Sequence, residues 1–575
     1  MVKRDSFVAE SYSGADYSSG AENLDPSWLP VAENWRFTNL GGAATRTGFE
    51  LYADLGTSAA VDSIHTHEPY SVMFAKSGTA IKQSLNGTTW YDIGVTRTAT
   101  EIDDFLSVEK DVHVSNPTDN YTRIAVTTLR TAITVASTEI DLRVGDGGKF
   151  GTSGTVYIEG DSISYGGRTG DQLTSVTNIS ASHSVGAIIT ETSAPSSAPK
   201  ASCLGLLEGA TLAGGVAANR AYLYYSAHAT GDNPEFAYDY TANGANFAPP
   251  FPTDIVDINS ITGGSIIALK KGIHYASTFD VNSEELLITE IHNQFGGVNN
   301  RCLVQGQKMT YLLDAKNKRI VPIVNDQNGV NVLDDPNKQK NNLDYPVQGF
   351  MAGIDEDQSL SSTSFDPVTT EVVFTVYKNG FSHDVVLQEN VNKWSIDIGK
   401  NFKCRTNFNG KSICGSDYNA EIYLNNSGLT DNTVGIHHRL LSPVYNIDDK
   451  RVTMEFLDYV CGGLLSSLGE FTLRMYVNDL KVFDQLVTAD MLVAANLMSR
   501  SSGTPIGSGS IGPRSIGSGG ASPPTGYRFT YPPTVLFSGE TFQFEIEIFD
   551  EGTAMELRDS RLDYETDGES VFTHL

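Results

Sequence analysis

The feature that most narrows the fold is a rhythm of short apolar runs broken by glycine, asparagine and aspartate. Residues 70–74 are followed by 79–83, and the turn Asn86-Gly87 leads into 89–91, which holds Trp90. A strand, an Asn-Gly turn and a returning strand make a hairpin, because both turn positions need φ > 0. The same grammar recurs downstream. Runs at 221–226, 255–258, 265–270, 309–313, 319–323, 371–377, 383–387, 412–416 and 421–424 are separated by turns such as Gly263-Gly264 and Asn379-Gly380. These units return roughly every 40 to 50 residues, the spacing of propeller blades. Each unit is a few strands that cannot bury a face alone. The sequence therefore predicts an all-β chain with β-propeller blades over 202–435 and the start of that platform over 31–130.

Three other regions differ in character. Residues 131–191 read as a small inserted β module, with strands at 154–158 and 162–165 and a Gly166-Gly167 turn. The Ser/Ala/Pro run 192–201 reads as its exit linker. Over 436–575 the strands are longer and alternate cleanly, as at 450–456, 470–477, 527–531 and 542–549, which predicts a β-sandwich region. That alternation puts Glu545 and Glu547 on the exposed face, and a short helix is expected over 491–498. Residues 501–524 are too rich in glycine and serine to fold alone and form a long loop. Residues 1–30 are polar and read either as an extended N-terminal arm, of the kind that packs on a neighbour in an assembly, or as plain disorder.

Forty basic residues against sixty-nine acidic ones leave a formal charge of −29. Such a surface repels a phosphate backbone, which argues against gripping nucleic acid but suits a wall that DNA slides past. Five cysteines at wide spacing, with no CxxC, exclude a disulfide scaffold and a zinc site. Cys404 and Cys414 stand at hairpin spacing, yet the count and spacing read as reduced, semi-buried thiols. The N-terminus lacks the apolar core of a signal peptide and no run is long enough to span a membrane, so a soluble chain made in a cytoplasm is expected.

Catalytic chemistry is missing from the pattern. Nucleophile elbows, HExxH, EF-hand loops and phosphate-cradling glycine loops are absent. The nearest glycine string, 144–148, lacks the following helix and lysine of a phosphate site. The acidic clusters Asp355-Glu356-Asp357 and Asp448-Asp449 read as solvated turns, with loose calcium binding as the alternative, and His183 as a packing or turn residue. His437 and His438 are adjacent, so in a strand they point to opposite faces and chelate poorly. No catalytic, cofactor-binding or metal-binding residue is assigned.

The stretch Glu33, Asn34, Trp35, Arg36, Phe37, then Gly41-Gly42 and Arg46, Thr47, Gly48, Phe49, resembles the start of tail proteins of tailed bacteriophages. There a polar lead and a strand precede paired glycines and Arg-Pro-Gly; here Thr47 stands where proline is commonest. Arg220 to Ser226, followed by Asn233-Pro234, and the hairpins at 265–275 and 311–323 are also similar to that family, the tail nozzle or tail tubular protein B. The inserted module is similar to small β modules of phage tail and fibre proteins. The resemblance implies a non-enzymatic virion protein, assembled in the host cytoplasm as a homohexameric ring in the tail. It would adjoin tail, adaptor and fibre proteins. Genomic DNA would cross its channel without specific binding, and it would help close the channel and release the genome. Two rivals are a peripheral, trimeric receptor-binding fibre protein and a glycan-binding, sialidase-like propeller. The latter needs an arginine cluster or paired carboxylates converging on the axis, for which Arg301 and Arg319 are thin candidates. SLNGTTW, at 84–90, is one residue short of a sialidase-type turn motif and occurs once.

Overall fold

The computed structural model describes residues 3–9, 12–25, 27–39, 41–195, 197–226, 240, 250–279, 286–326, 329–334, 340, 342–461, 471–487, 498–500, 526–530, 537–549, 555–557 and 560–566. Within them the chain is all-β, with many small sheets and one α-helix, Tyr345–Ala352. At Asn86-Gly87 only Gly87 is left-handed and the return strand starts at Tyr91, after a longer loop than the two-residue turn expected; the Asn379-Gly380 turn is as the sequence dictates. Asn379 (φ 54°) and Gly380 (φ 78°) join Glu371–Lys378 to Phe381–Gln388 through a reversal that needs two left-handed residues.

Seven small sheets follow one another. The first is Val61–His67, Val72–Ser77, Ala80–Ser84 and Tyr91–Thr96, each strand antiparallel to the next. The second starts with Asp104–Val108, Asp111–Ser115 and Thr122–Thr128. The third is Cys203–Leu207, Ala210–Gly214 and Tyr224–Tyr225, shorter than the expected run at 221–226. The fourth and fifth begin with Ile255–Ile261 and Leu303–Gln305, and the sixth with Ser362–Asp366; each runs through four strands in sequence order, and the sixth is continuous with the large C-terminal sheet through the Ile396–Glu33 pair. The seventh comprises Phe402–Phe408, Lys411–Ser416 and Glu421–Asn425, with Phe49–Asp54 as its fourth strand.

The first strands of these sheets touch in cyclic order, the seventh returning to the first. Hydrogen bonds mark every step. His65 Nε2 meets Ser107 Oγ at 2.8 Å, and Leu204 N donates to Asp104 at 2.6 Å. Leu206 N donates to Ser260 Oγ, Leu303 N to Asp257, and Thr363 Oγ1 to the Arg301 carbonyl. Asn407 Nδ2 donates to the Phe365 carbonyl, and Thr66 and Thr406 meet hydroxyl to hydroxyl at 3.0 Å. Apolar layers fill the gaps between neighbouring sheets, for example Val72, Phe74 and Ile81 of the first against Val112, Ile124 and Val126 of the second.

The inserted module enters between the third and fourth strands of the second sheet. Its core includes Ile140, Leu142, Val156, Ile163 and Leu173. The exit linker expected at 192–201 begins inside a strand. Ile188–Ser193 pairs with Thr122–Thr128 on one side and with Gly154–Ile158 on the other, so sheet and module share it. A second tie is Asp146, fully buried in the glycine string 144–148. Its carboxylate accepts from Tyr70 at 2.5 Å, Thr127 at 2.7 Å and Lys110 at 2.9 Å. The string is thus a structural turn.

Beyond the seventh sheet the chain forms a larger antiparallel one. Phe537–Ile548 runs through it, flanked by Phe471–Val477 on one side and by His438–Leu441 and Tyr445–Cys461 on the other. Alternation holds in Phe471–Val477, where Phe471, Leu473, Met475 and Val477 are buried. The expected helix over 491–498 lies outside the described residues except for Met498, which opens the strand Met498–Arg500; the loop 501–524 lies outside them altogether.

The described residues within 1–30, expected as an extended arm, pack against strands of this same chain. Lys3–Ala9 pairs with Ser560–Thr566. Tyr12, Ala15 and Leu29 are buried in one core with Leu473, Phe544 and Ile546. Residues 16–18 cross the helix so closely that a Cβ on Gly349 would lie 1.8 Å from the Tyr17 carbonyl oxygen. Their polar side chains are satisfied locally, Asp16 accepting from the Ser18 and Ser19 amides and Ser18 Oγ donating to the Tyr345 carbonyl.

Cys203, Cys302, Cys404 and Cys414 are free thiols and buried, not semi-buried, while the side chain of Cys461 lies outside the described residues. Cys404 lies opposite Gly415 and Arg405 opposite Cys414, so the two thiols point to opposite faces and cannot bond. Burial pushes the Cys404 thiol up to about 12 and the Cys414 thiol up to about 11. In a Cys461→Ser background, the native protein is therefore expected to give no Ellman reaction at pH 8, and four equivalents after unfolding. Rapid native labelling would show that these layers open.

Candidate functional site

The residues that carry the family resemblance converge on a junction between the cycle of sheets and the C-terminal sheet. Val31–Glu33 pairs antiparallel with His438–Leu441 and meets Ile396 of the sixth sheet through Glu33. The chain then turns at Asn34, whose φ of 62° is left-handed, into the hairpin Trp35–Phe37 and Ala43–Thr45. Asn34 is 2% exposed and works as a hub. Its Oδ1 accepts from Arg46 Nε at 2.8 Å and from the Ile398 amide at 2.9 Å, and its Nδ2 donates to the His437 carbonyl at 2.7 Å.

The two arginines of the stretch close on carboxylates, of which Asp397 and Glu371 are buried and Asp431 is partly exposed. Arg36 makes a two-pronged contact to Asp397, both distances 2.6 Å, and reaches Glu371 at 2.8 Å. Arg46 makes a second fork to Asp431 at 2.8 and 2.5 Å, with its Nε 3.9 Å from Asp397. Lys400 Nζ adds a bond of 2.9 Å to Asp397. Burial alone would raise the Asp397 carboxyl; Arg36, Lys400 and Arg46 overcome it and hold the group well below the usual carboxylate range. Gly48 is required because the Thr430 carbonyl oxygen would lie 1.9 Å from a Cβ there. Trp35 is fully buried and meets the His438 ring edge-on at 6.3 Å.

Beside the junction an open groove of about 600 Å³ runs over the outer face of the C-terminal sheet, lined by Glu33, His437, Arg439, Arg474, Glu545 and Glu547 among others. Glu545 and Glu547, expected on an exposed face, are only 3% and 8% exposed. They do lie on the polar face, but cations cover them. Arg439 reaches Glu545 at 2.5 Å, Arg474 reaches Glu547 at 2.5 Å, and His437 Nε2 meets Glu547 at 2.7 Å. His437 faces this groove while His438 is buried with Nδ1 donating to the Asn34 carbonyl; burial pushes His438 down to about 3.

The remaining candidates are not brought together. Arg301 donates to the backbone carbonyls of Asp62 and Lys403, and Arg319 pairs with Asp344 at 2.6 Å and Asp334 at 2.8 Å. Each is held internally by its own partners. His183 has the carboxylate partners the sequence did not suggest. Its Nδ1 meets Glu159 and its Nε2 meets Asp161, both at 2.9 Å. Asp355 caps the Asn379 and Gly380 amides, and Asp357 caps that of Ser359. Asp448 and Asp449 fall in Tyr445–Cys461, where side chains lie outside the described residues. Among the described residues no group of three or more His, Cys, Asp or Glu is placed to hold a metal ion, and no helix is long and apolar enough to cross a membrane.

No family model and no curated protein matches the chain. Among solved structures it is similar to the computationally designed Ika8 protein, at 8% identity and a TM-score of 0.31 over 65% of this chain and 99% of that one. It is also similar to Chaetomium thermophilum Raptor, at 8% identity and a TM-score of 0.35 over 66% of this chain and 29% of that one.

Proposed function

We propose that the seven sheets are the blades of a β-propeller, carrying an inserted module and a C-terminal β-sandwich, and that the chain is a structural component of a bacteriophage tail. The role is that of a nozzle: a homo-oligomeric ring on the tail axis that adjoins other tail and fibre proteins, closes the DNA channel and opens for ejection. It is a virion role without catalysis. The observation that carries the reading is the stretch 33–49. Its Asn34, Arg36, Arg46 and Gly48, which resemble the tail family, hold the stretch against the sheet cycle at Ile398, Asp397, Asp431 and Thr430, and Asn34 also reaches the His437 carbonyl beside the C-terminal sheet. A motif used for architecture suits a load-carrying part. The acidic balance, −29 overall, favours free passage of DNA along any lumen that those acids face.

Negative-stain electron microscopy of the purified protein, with mass by light scattering, tests this. A sixfold ring with a pore wide enough for duplex DNA is expected. A stable trimer without an axial channel would overturn the nozzle assignment in favour of a receptor-binding fibre protein.

A further inference from the structure

The segment Asn299-Asn300-Arg301, just ahead of the first strand of the fifth sheet, ties that sheet to others that are not its neighbours. Asn299 Nδ2 donates to the Ser361 carbonyl at 2.7 Å, and its Oδ1 accepts from the Arg301 amide at 2.9 Å. Asn300 Nδ2 donates to the Ser202 carbonyl at 2.7 Å. Arg301 Nη1 donates to the Lys403 carbonyl at 2.8 Å and to the Asp62 carbonyl at 3.3 Å. Ser361, Ser202, Lys403 and Asp62 each adjoin the residue that opens a first strand, namely Ser362, Cys203, Phe402 and Val61. First strands run side by side in one direction, since Leu204 bonds Asp104 near their starts and Thr66 meets Thr406 near their ends. The contacts of the segment therefore gather at one end of the cycle. From the fifth sheet the first is reached only through the sixth and seventh, as far apart as two sheets of the cycle can be. A side chain that joins them crosses the centre.

The chemistry suits a tether. Arg301 donates only to backbone carbonyls among the described residues, with Leu360 the third, and a carbonyl moves only with its strand. A guanidinium fork reaches several such acceptors at once, which an ammonium does not. Three thiols stand beside these contacts: Cys203 follows Ser202, Cys302 follows Arg301 and Cys404 follows Lys403. All three are buried, and Cys404 Sγ donates to the Val61 carbonyl at 3.2 Å. Burial pushes the Cys404 thiol up, and the nearby Arg301 guanidinium pulls it partly back. We infer that Asn299-Asn300-Arg301 is a strap that closes the axis of the sheet cycle at this end, barring solutes from the line along which a propeller has its channel. The strap stands on the cyclic order of the sheets and is independent of the tail assignment.

Thiol labelling of the full chain in the Cys461→Ser background tests it, with methyl methanethiosulfonate at pH 8 as reagent and peptide mass spectrometry as readout. Arg301→Ala is expected to speed modification of Cys404 by about tenfold or more, because local opening governs access to a buried thiol. Cys414 lies in the second strand of the seventh sheet, Lys411–Ser416, and should stay protected, which separates opening of the strap from unfolding. Two milder variants keep the test decisive should that chain fail to fold. Arg301→Lys keeps the charge without the fork and should label Cys404 at an intermediate rate. Asn300→Ala cuts the tie to the third sheet and should expose Cys203 while sparing Cys404. Modification of Cys404 at the parent rate in the Arg301 variants would overturn the strap. So would modification of Cys414 in step with Cys404.

Discussion

Replacing Asp397 with asparagine is expected to destabilise the protein by about 3–5 kcal/mol, because it removes the carboxylate charge shared by Lys400 and Arg36, leaving Arg36 with Glu371 alone, while keeping the shape of the site. The side chain of Asp397 is 0% exposed and those of Arg36 and Lys400 only 12% and 4%, so water cannot replace the lost partner. The urea midpoint should fall with the slope unchanged. An exposed pair gives the contrast: Lys270→Ala, which breaks a 2.8 Å contact to Asp254 with both partners about a third or more exposed, should cost about 0–1 kcal/mol. The pH dependence follows from the sign of the shift. The folded carboxyl lies below its unfolded value, so its stabilisation is complete above about pH 4 and is lost as the pH falls through the folded pKa. The gap between wild type and Asp397→Asn should therefore be constant at neutral pH and close only in strong acid. A midpoint within error of wild type at pH 7 would mean that the junction does not hold the two parts together.

Removal of residues 1–54 should have the larger effect still. It deletes the fourth strand of the seventh sheet, Phe49–Asp54, and with it Phe49, whose ring packs at 4.9 Å from both Phe402 and Tyr423. It also removes Tyr12, Leu29, Trp35 and Phe37 from the core of the C-terminal sheet. Losing several large buried side chains at about 3–5 kcal/mol each exceeds the whole stability of an ordinary domain. The truncated chain is expected to show no cooperative melting transition by calorimetry. Phe49→Ala, a milder change at the same seam, should lower the melting temperature yet leave one transition. Wild-type melting of the truncated chain would disprove a closing role for this strand.

Local chemistry was readable in the sequence and remote pairing was not. Turns such as Asn379-Gly380 and the alternation in Phe471–Val477 are set by neighbours a few residues apart, and both are found. The closing strand has no local mark, since Phe49 pairs with Asn425 and the intervening chain says nothing of it. The same holds for Asn34, an ordinary polar residue until Ile398, Arg46 and His437 are brought around it. The first thirty residues look like an arm because they are rich in serine and aspartate. Backbone groups nearby satisfy those side chains, and the few apolar ones, Tyr12, Ala15 and Leu29, reach the core. Glu545 and Glu547 were placed on the right face, but alternation cannot reveal that Arg439, Arg474 and His437 would cover them. His183 looked isolated because its partners, Glu159 and Asp161, precede it by more than twenty residues.

The seam also sets an order of events during synthesis. A ribosome delivers Phe49–Asp54 long before its partner Glu421–Asn425, and Lys3–Ala9 long before Ser560–Thr566. Until those late segments emerge, the early ones present unpaired strand edges to solvent. The nascent chain must therefore wait for nearly its whole length before it can settle. A premature stop anywhere upstream of Glu421 leaves a product with an open edge at both ends of the sheet cycle, suited to aggregation or clearance rather than to partial function.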